Sequence, residues 1–220
     1  LGSLVERTYE AYQRRLLEAN AVDFDDLLYH VARLIRDHED LRRALDQRFK
    51  YILVDEYQDT NLVQYMIVRG LSIDHPNLAV TGDPDQSIYG WRGASLNNIM
   101  EFEQDYPEVE VVRLEQNYRS THAILSVADQ LIRNNAYRKH KELFTENPGG
   151  TAVKLVHYSD HRDEADRIAD QILDAVQEGR RQARDFAIFY RVNALSRTLE
   201  QALRRRGLPY QIVNGLEFYQ

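Results

Sequence analysis

Apolar positions recur at helical spacing from residue 5 to residue 47. Tyr9, Tyr12, Leu16 and Leu17 form one stripe, and Leu27, Leu28, Val31, Leu34 and Ile35 form a second. Between them Asp23 stands where a helix N-cap is expected, followed by Phe24-Asp25-Asp26. Acids at that position read as capping and dipole compensation. The period then changes. Tyr51-Ile52-Leu53-Val54 is a short apolar run ending in Asp55 and Glu56, which predicts a strand over 51–55 buried on both faces, as in a parallel sheet. A helix over 61–71, a second buried strand over 77–83 stopped by Gly82-Asp83-Pro84, a helix over 96–102 and a strand over 109–114 follow. That β-α-β-α-β order predicts a parallel sheet with crossover helices.

A second alternating series begins near Leu114. Residues 120–133 carry Ile124, Leu125, Ala128, Leu131 and Ile132 on one helical face. A polar connection through Pro148-Gly149-Gly150 leads to a predicted strand over 152–157. The next helix has a clear stripe of Ala165, Ile168, Ala169, Ile172, Leu173 and Val176. It is expected to be capped by Ser159 or Asp160 and to end at Gly179. Strands over 186–190 and 210–213 flank a helix marked by Leu195, Leu199, Ala202 and Leu203 that ends at Gly207. The architecture repeats although the sequence does not.

Composition narrows the class without naming it. The chain has 220 residues, 43% hydrophobic and 29% charged, an ordinary globular balance that suggests one or two domains. No apolar run approaches the roughly 18 to 20 residues that span a bilayer, and no secretory signal is visible. The absence of cysteine excludes disulfides, thiolate metal sites and cysteine nucleophiles, and fits a cytoplasmic protein. A net charge of −7 argues against a wholly basic nucleic-acid coat. One strip differs: between Arg180 and Arg206 there are eight arginines and two acids. Such a strip suits phosphate tracking, and equally a solvated helix face. The opening Leu1-Gly2-Ser3 reads as a cloning scar or fragment boundary.

Three stretches carry chemistry. A strand that ends in Asp55-Glu56 delivers both carboxylates to the sheet edge where open α/β folds bind ligands. There one carboxylate can hold Mg²⁺ while the other orients an attacking water. Read alone, the pair is better described as a solvated acidic turn that ends an ordinary strand. The second stretch, residues 81–94, combines three glycines, Pro84, Gln86, Tyr89, Arg92 and the chain's single tryptophan, Trp91. Aromatic rings beside arginine stack single-stranded bases without reading sequence, although such rings are also ordinary core or interface residues. The third, Leu114-Glu115-Gln116-Asn117-Tyr118-Arg119-Ser120, sits at the junction of the two halves.

Together, in this order and spacing, the stretches closely resemble helicase motifs II, III and IV of the UvrD/PcrA/Rep type of superfamily 1A DNA helicases. Asp23-Phe24-Asp25-Asp26-Leu27-Leu28 resembles a segment upstream of motif II. Arg191-Val192-Asn193-Ala194-Leu195-Ser196-Arg197 and Asn214-Gly215 resemble later, less specific segments. The resemblance implies an α/β fold comprising parts of two RecA-like parallel-sheet motor domains preceded by a helical segment. Residues 1–48 would end the accessory 1B region, 49–113 would be the later part of motor domain 1A, and 114–220 the first part of 2A.

It also implies roles. Asp55 would help hold Mg²⁺ on the ATP phosphates and Glu56 would act as base towards water. Gln86 would sense the γ-phosphate, Tyr118 would stack on adenine, and Arg119 would reach the γ-phosphate. Tyr89 and Trp91 would stack on bases of single-stranded or junction DNA, supported by Arg92. The activity implied is ATP-driven 3′→5′ translocation and unwinding in DNA repair or replication.

One element of the pattern is missing. A phosphate-binding loop requires Gly-Lys-Ser/Thr, and none of the ten glycines here is followed by lysine. The chain therefore reads as an internal piece of a helicase, dependent on the remaining parts and inactive alone. Two alternatives stay open: the helicase part of a RecB/AddA-like helicase–nuclease, and a non-enzymatic excised interaction or scaffold piece.

Overall fold

The structure, a computed structural model, describes residues 2–74 and 76–213. Leu1 and the Asn214-Gly215 segment lie outside the described residues. The chain divides into two compact units, Leu1–Ala152 and Val153–Gln220.

The first unit opens with three helices, α1 (Gly2–Glu18), α2 (Phe24–Asp37) and α3 (Glu39–Arg48). Asp23 caps α2 as its position predicts: its carboxylate accepts from the Asp26 backbone N–H at 2.8 Å, and Asp26 returns the bond to Asp23 N–H at 3.3 Å. Tyr12 of α1 donates its hydroxyl to the same carboxylate at 2.9 Å, so these acids are structural. Of the second stripe, Ile35 is buried together with Ala32, while Leu27, Val31 and Leu34 stay exposed.

Next come β1 (Ile52–Val54), α4 (Leu62–Gly70) and β2 (Leu78–Val80). Asn61 caps α4 through a reciprocal box with Gln64 at 2.9 Å each way. Helix α4 packs on α2. A Cβ on Gly70 would lie 2.4 Å from Ile35 Cγ2, so the missing side chain is what allows the helices so close. Strands β1 and β2 pair in parallel with Ile52 opposite Leu78, Leu53 opposite Ala79 and Val54 opposite Val80. This is the β-α-β unit the pattern predicts. Short helices α5 (Asn97–Met100) and α6 (Phe102–Asp105) replace the single helix expected over 96–102. A core of Tyr57, Ile99 and Phe102 packs with Val54, Leu78 and Val80 beneath the pair.

Two expectations fail here. Strand β1 is covered on one face only among the described residues: Ile52 and Val54 are half-buried, whereas Leu53 is 80% exposed. The run 109–114 forms no ladder, and Val112 and Leu114 are exposed. A strand pattern specifies which side chains suit a pleated surface, but a ladder also needs a neighbour with free N–H and C=O groups. Among the described residues no segment pairs with 109–114. The unit closes with α7 (His122–Ile132), of which Leu125 is buried, and an irregular segment to residue 152.

The second unit is built on α8 (His161–Gln177) and α9 (Ser196–Arg205). Asp160 caps α8 through bonds from Arg162 and Asp163 N–H groups at 2.7 and 2.9 Å. Gly179 and Gly207, both at positive φ, close the helices as C-terminal glycines do. The predicted stripe is the core: Ala165, Ala169 and Ile172 pack with Ala202, Leu203 and Leu208. The runs over 152–157, 186–190 and 210–213 form no strands. In 186–190 the alternation survives: Phe186 and Ile188 pack on the helices while Phe189 is 94% exposed. The basic strip is partly spent on internal ion pairs. Arg206 binds Asp170 at 2.6 Å and Asp166 at 2.8 Å, and Arg205 binds Asp166 at 2.6 Å. These contacts hold both carboxyls below their usual range and raise the Arg206 guanidinium.

Candidate functional site

The parallel pair places its two carboxyl ends side by side. Thr81 N–H donates to Val54 C=O at 2.8 Å and Tyr57 N–H to Thr81 C=O at 2.9 Å, so Asp55 and Glu56 emerge beside Thr81. Asp55 Oδ1 accepts from the Thr81 hydroxyl at 2.5 Å and from Glu56 N–H at 2.9 Å. The Thr81 bond, then the backbone bond, pulls the Asp55 carboxyl below its usual range and keeps it ionised. One oxygen anchors the side chain, and the exposed carboxylate faces solvent.

Glu56 departs from strand geometry. Its backbone sits at φ 51°, ψ 42°, a left-handed conformation that a non-glycine residue adopts at a cost. That turn initiates the short 3₁₀ segment Tyr57–Asp59 and re-aims the chain within one residue. Gln58, only 1% exposed, fixes the result. Its amide donates to Glu56 Oε2 at 2.8 Å, and its carbonyl accepts from Asp83 N–H at 3.0 Å. Gly82 makes room: a Cβ there would meet Gln58 Oε1 at 2.6 Å and Ile99 Cδ1 at 2.8 Å. Gln58 thus joins the acidic pair to the loop of the second stretch.

In that loop Asp83 is the hub. Its carboxylate accepts from Asp85 N–H at 3.0 Å and from the Gln86 amide at 2.8 Å, and it pairs with Lys141. Burial pushes the Asp83 carboxyl up, but the Lys141 and Gln86 hydrogen bonds outweigh burial and hold it below the usual range. Asp85, whose side chain is 6% exposed, pairs with Arg138 at 2.9 Å and lies 3.5 Å from Lys141. Beyond Gln86 the loop turns outward. Trp91 is 69% exposed and Tyr89 is also exposed, with the Arg92 guanidinium 4.5 Å from the Trp91 ring centroid and 5.7 Å from that of Tyr89. The core-aromatic alternative for Trp91 does not describe this placement.

The third stretch turns at Asn117, whose side-chain oxygen accepts from Arg119 and Ser120 N–H groups at 2.9 and 2.8 Å. Tyr118 is 78% exposed with its hydroxyl on Gln116 at 2.8 Å, and Arg119 is exposed too. No hydrogen bond or ion pair among the described residues joins Tyr118 or Arg119 to Asp55, Glu56 or Gln86.

Sequence reading therefore located Asp55, Glu56, Gln86, Tyr89, Trp91, Arg92, Tyr118 and Arg119 as local features. It missed the residues that hold them: Thr81, Gln58, Asp83, Asp85, Arg138 and Lys141. The only advance signal was charge complementarity between Asp83-Pro84-Asp85 and Arg138-Lys139-His140-Lys141, which periodicity cannot register.

Comparison with known proteins agrees with the motifs. The model of the UvrD/REP helicase N-terminal domain matches residues 2–107, and that of the UvrD-like helicase C-terminal domain matches residues 112–220. The ATP-dependent DNA helicase PcrA of Staphylococcus epidermidis (strain RP62A) is 44% identical over 218 residues, which is 99% of this chain and 30% of that protein. PcrA of Staphylococcus aureus (strain NCTC 8325) gives the same identity and coverage. The chain thus spans about 30% of the length of the curated relatives it matches.

Proposed function

Because the chain belongs to the UvrD/REP helicase family, we propose that it carries the nucleotide and DNA motifs of a longer ATP-dependent 3′→5′ DNA helicase acting in repair or replication. The observation that carries this reading is the Gln58 bridge. One buried amide ties the carboxylate suited to orient water to the loop that holds both Gln86 and the exposed aromatics. A motor needs such a connection, since a ligand shifts a conformation only by contacting its states differently.

In this reading Asp55 supplies a Mg²⁺ ligand. Its chemistry fits, being an exposed, ionised oxygen donor whose partner oxygen is already anchored by Thr81. Among the described residues no group of three or more His, Cys, Asp or Glu could hold a metal ion. Asp55 alone then suits Mg²⁺, which takes one or two carboxylates with waters and phosphates. When bound, that ion neutralises charge on the phosphates. Glu56 orients and deprotonates the attacking water. Gln86 and Arg119 contact the γ-phosphate, and Tyr118 stacks on adenine. Tyr89 and Trp91, backed by Arg92, stack on single-stranded or junction DNA.

No helix among the described residues is long and apolar enough to cross a membrane, and a cytoplasmic location suits a DNA motor. The 44% identity to PcrA favours this reading over a helicase–nuclease of the RecB/AddA kind. The absence of any Gly-Lys pair supports inactivity of the 220-residue chain by itself.

The test is Glu56→Gln in the full-length protein. ATP binding should persist while DNA-stimulated turnover falls at least about 10²-fold, the scale of a lost general base. Near-normal turnover would remove the role.

A further inference from the structure

Residues 138–147 touch both loops that the proposed function assigns to nucleotide. At one end Arg138 pairs with Asp85 and Lys141 with Asp83 and Asp85. Between them Lys139 pairs with Glu103 of α6, at 2.5 Å. At the other end Phe144 forms a parallel bridge with Gln116. Asn117 N–H donates to Phe144 C=O at 2.7 Å, and Phe144 N–H to Glu115 C=O at 3.1 Å. The Asn147 amide donates to Tyr118 C=O at 3.0 Å and Ser120 C=O at 3.1 Å, which holds the turn bearing Arg119. A single short segment therefore spans from the Gln86 loop to the Tyr118-Arg119 loop, which no hydrogen bond or ion pair joins directly among the described residues.

The ion pairs at its first end are unlike the surface pairs elsewhere in the chain. The Asp85 side chain is buried and those of Arg138, Asp83 and Lys141 are partly buried, so solvent screens these pairs less than exposed ones. The Arg138–Asp85 pair is also only half made. Arg138 Nε and Asp85 Oδ1 are buried and make no hydrogen bond, and these are the two atoms that a bidentate fork would join.

We propose that Arg138 and Lys141 are positioning residues. They fix Asp83 and Asp85, so that Gln86 stands where Gln58 and Glu56 can follow it, and they link this loop to the turn of Tyr118 and Arg119. They touch no reacting atom. The assignment rests on the reading of Gln86 and Arg119 as nucleotide contacts, but the clamp itself does not.

Two measurements separate these layers. Trp91 is the chain's only tryptophan, so its fluorescence reports the clamped loop directly. In the 220-residue chain, Lys141→Met and the Arg138→Met/Lys141→Met pair should lower Trp91 anisotropy and raise its quenching by acrylamide. Far-UV circular dichroism should not change, and Lys141→Arg should restore the wild-type signal. If the Met variants fail to fold, Arg138→Gln and Lys141→Gln, which keep a donor and lose only charge, carry the same test. An unchanged Trp91 signal in a folded variant overturns the clamp. In the full-length protein, Lys141→Met should lower DNA-stimulated ATP turnover about tenfold with KM for ATP unchanged, the scale of one lost charge-assisted hydrogen bond. A freed loop with undiminished turnover overturns the positioning role. Wild-type protein without DNA-stimulated turnover overturns the helicase reading, while the fluorescence result still decides the clamp.

Discussion

Gln58 Nε2 lies 2.8 Å from Glu56 Oε2, and the same buried side chain accepts the Asp83 N–H on its other face. An amide so placed is satisfied only while both partners hold position. Gln58→Ala would leave a donor on Asp83 and the Glu56 carboxylate without that partner. A hydrogen bond to a charged group is worth about 1.5–3 kcal/mol. In the full-length protein the variant should lose roughly 10- to 100-fold in turnover, using the conversion of about 1.4 kcal/mol per decade. Nucleotide binding measured by fluorescent-analogue titration should change much less. Equal losses in binding and turnover would place Gln58 in the scaffold rather than the coupling path.

Trp91 offers a cleaner separation of stacking from stability. Its ring is exposed and rests against Arg92 rather than in a core. Trp91→Ala should weaken single-strand binding by about 1–3 kcal/mol, the cost of one lost base-aromatic stack. Its melting temperature should match wild type. A drop in melting temperature with unchanged affinity would return the ring to a packing role.

What was legible in the sequence follows a simple division. The capping residues Asp23 and Asp160, the α8 stripe and the emergence of Asp55-Glu56 from a strand depend on neighbours a few positions away, and periodicity records those. Gln58 was opaque because its meaning lies in a bond to Asp83, 25 positions further on. Arg138 and Lys141 act over 53 and 58 positions. The predicted strands over 109–114, 152–157 and 186–190 fail for a related reason. Their composition suits a sheet, but ladder formation is a property of two segments, and among the described residues only β1 and β2 pair beyond a single bridge.

The close approach of α2 and α4 sets a prediction that runs against helix propensity. Gly→Ala in a helix interior ordinarily gains about 1 kcal/mol, and less at the last helical position, which Gly70 occupies in α4. Here the new methyl would meet Ile35 Cγ2, part of a buried and stiff β-branched side chain. Overpacking of this kind costs about 1–3 kcal/mol, so the net effect in urea denaturation should be destabilising. In an Ile35→Ala background the same substitution should turn neutral or stabilising. Stabilisation in the wild-type background would show that α2 and α4 yield.

Acid stability reports the Asp83–Lys141 pair. The folded-state pKa of Asp83 lies below its unfolded value, so the pair's contribution is present in full above the unfolded value of about 3.9. It is lost as pH falls through the lower folded value. Lys141→Met removes the main stabiliser of the carboxylate and leaves only the Gln86 and Asp85 bonds to oppose burial, so the Asp83 pKa rises relative to wild type. The variant should therefore lose less stability than wild type between neutral pH and pH ~3, although it starts less stable. Denaturant midpoints across that range decide it, and parallel curves would mean that Asp83 takes no part in the acid transition.

The left-handed backbone of Glu56 provides the sharpest test of whether this residue was placed for chemistry. A non-glycine residue in this conformation carries a cost on the order of 1–2 kcal/mol. Glycine adopts it freely, while its own entropy loss on folding claims back roughly 0.5–1 kcal/mol. Glu56→Gly also gives up the Gln58 bond, worth about 1.5–3 kcal/mol, so stability should fall by no more than about 3 kcal/mol and the fold should persist. Turnover in the full-length protein should fall at least about 10²-fold. Tolerated stability with lost turnover is the signature of strain kept for function. If Glu56→Gly instead unfolds the protein, the Glu56–Gln58 contact is the keystone of this turn, and the backbone conformation needs no catalytic explanation.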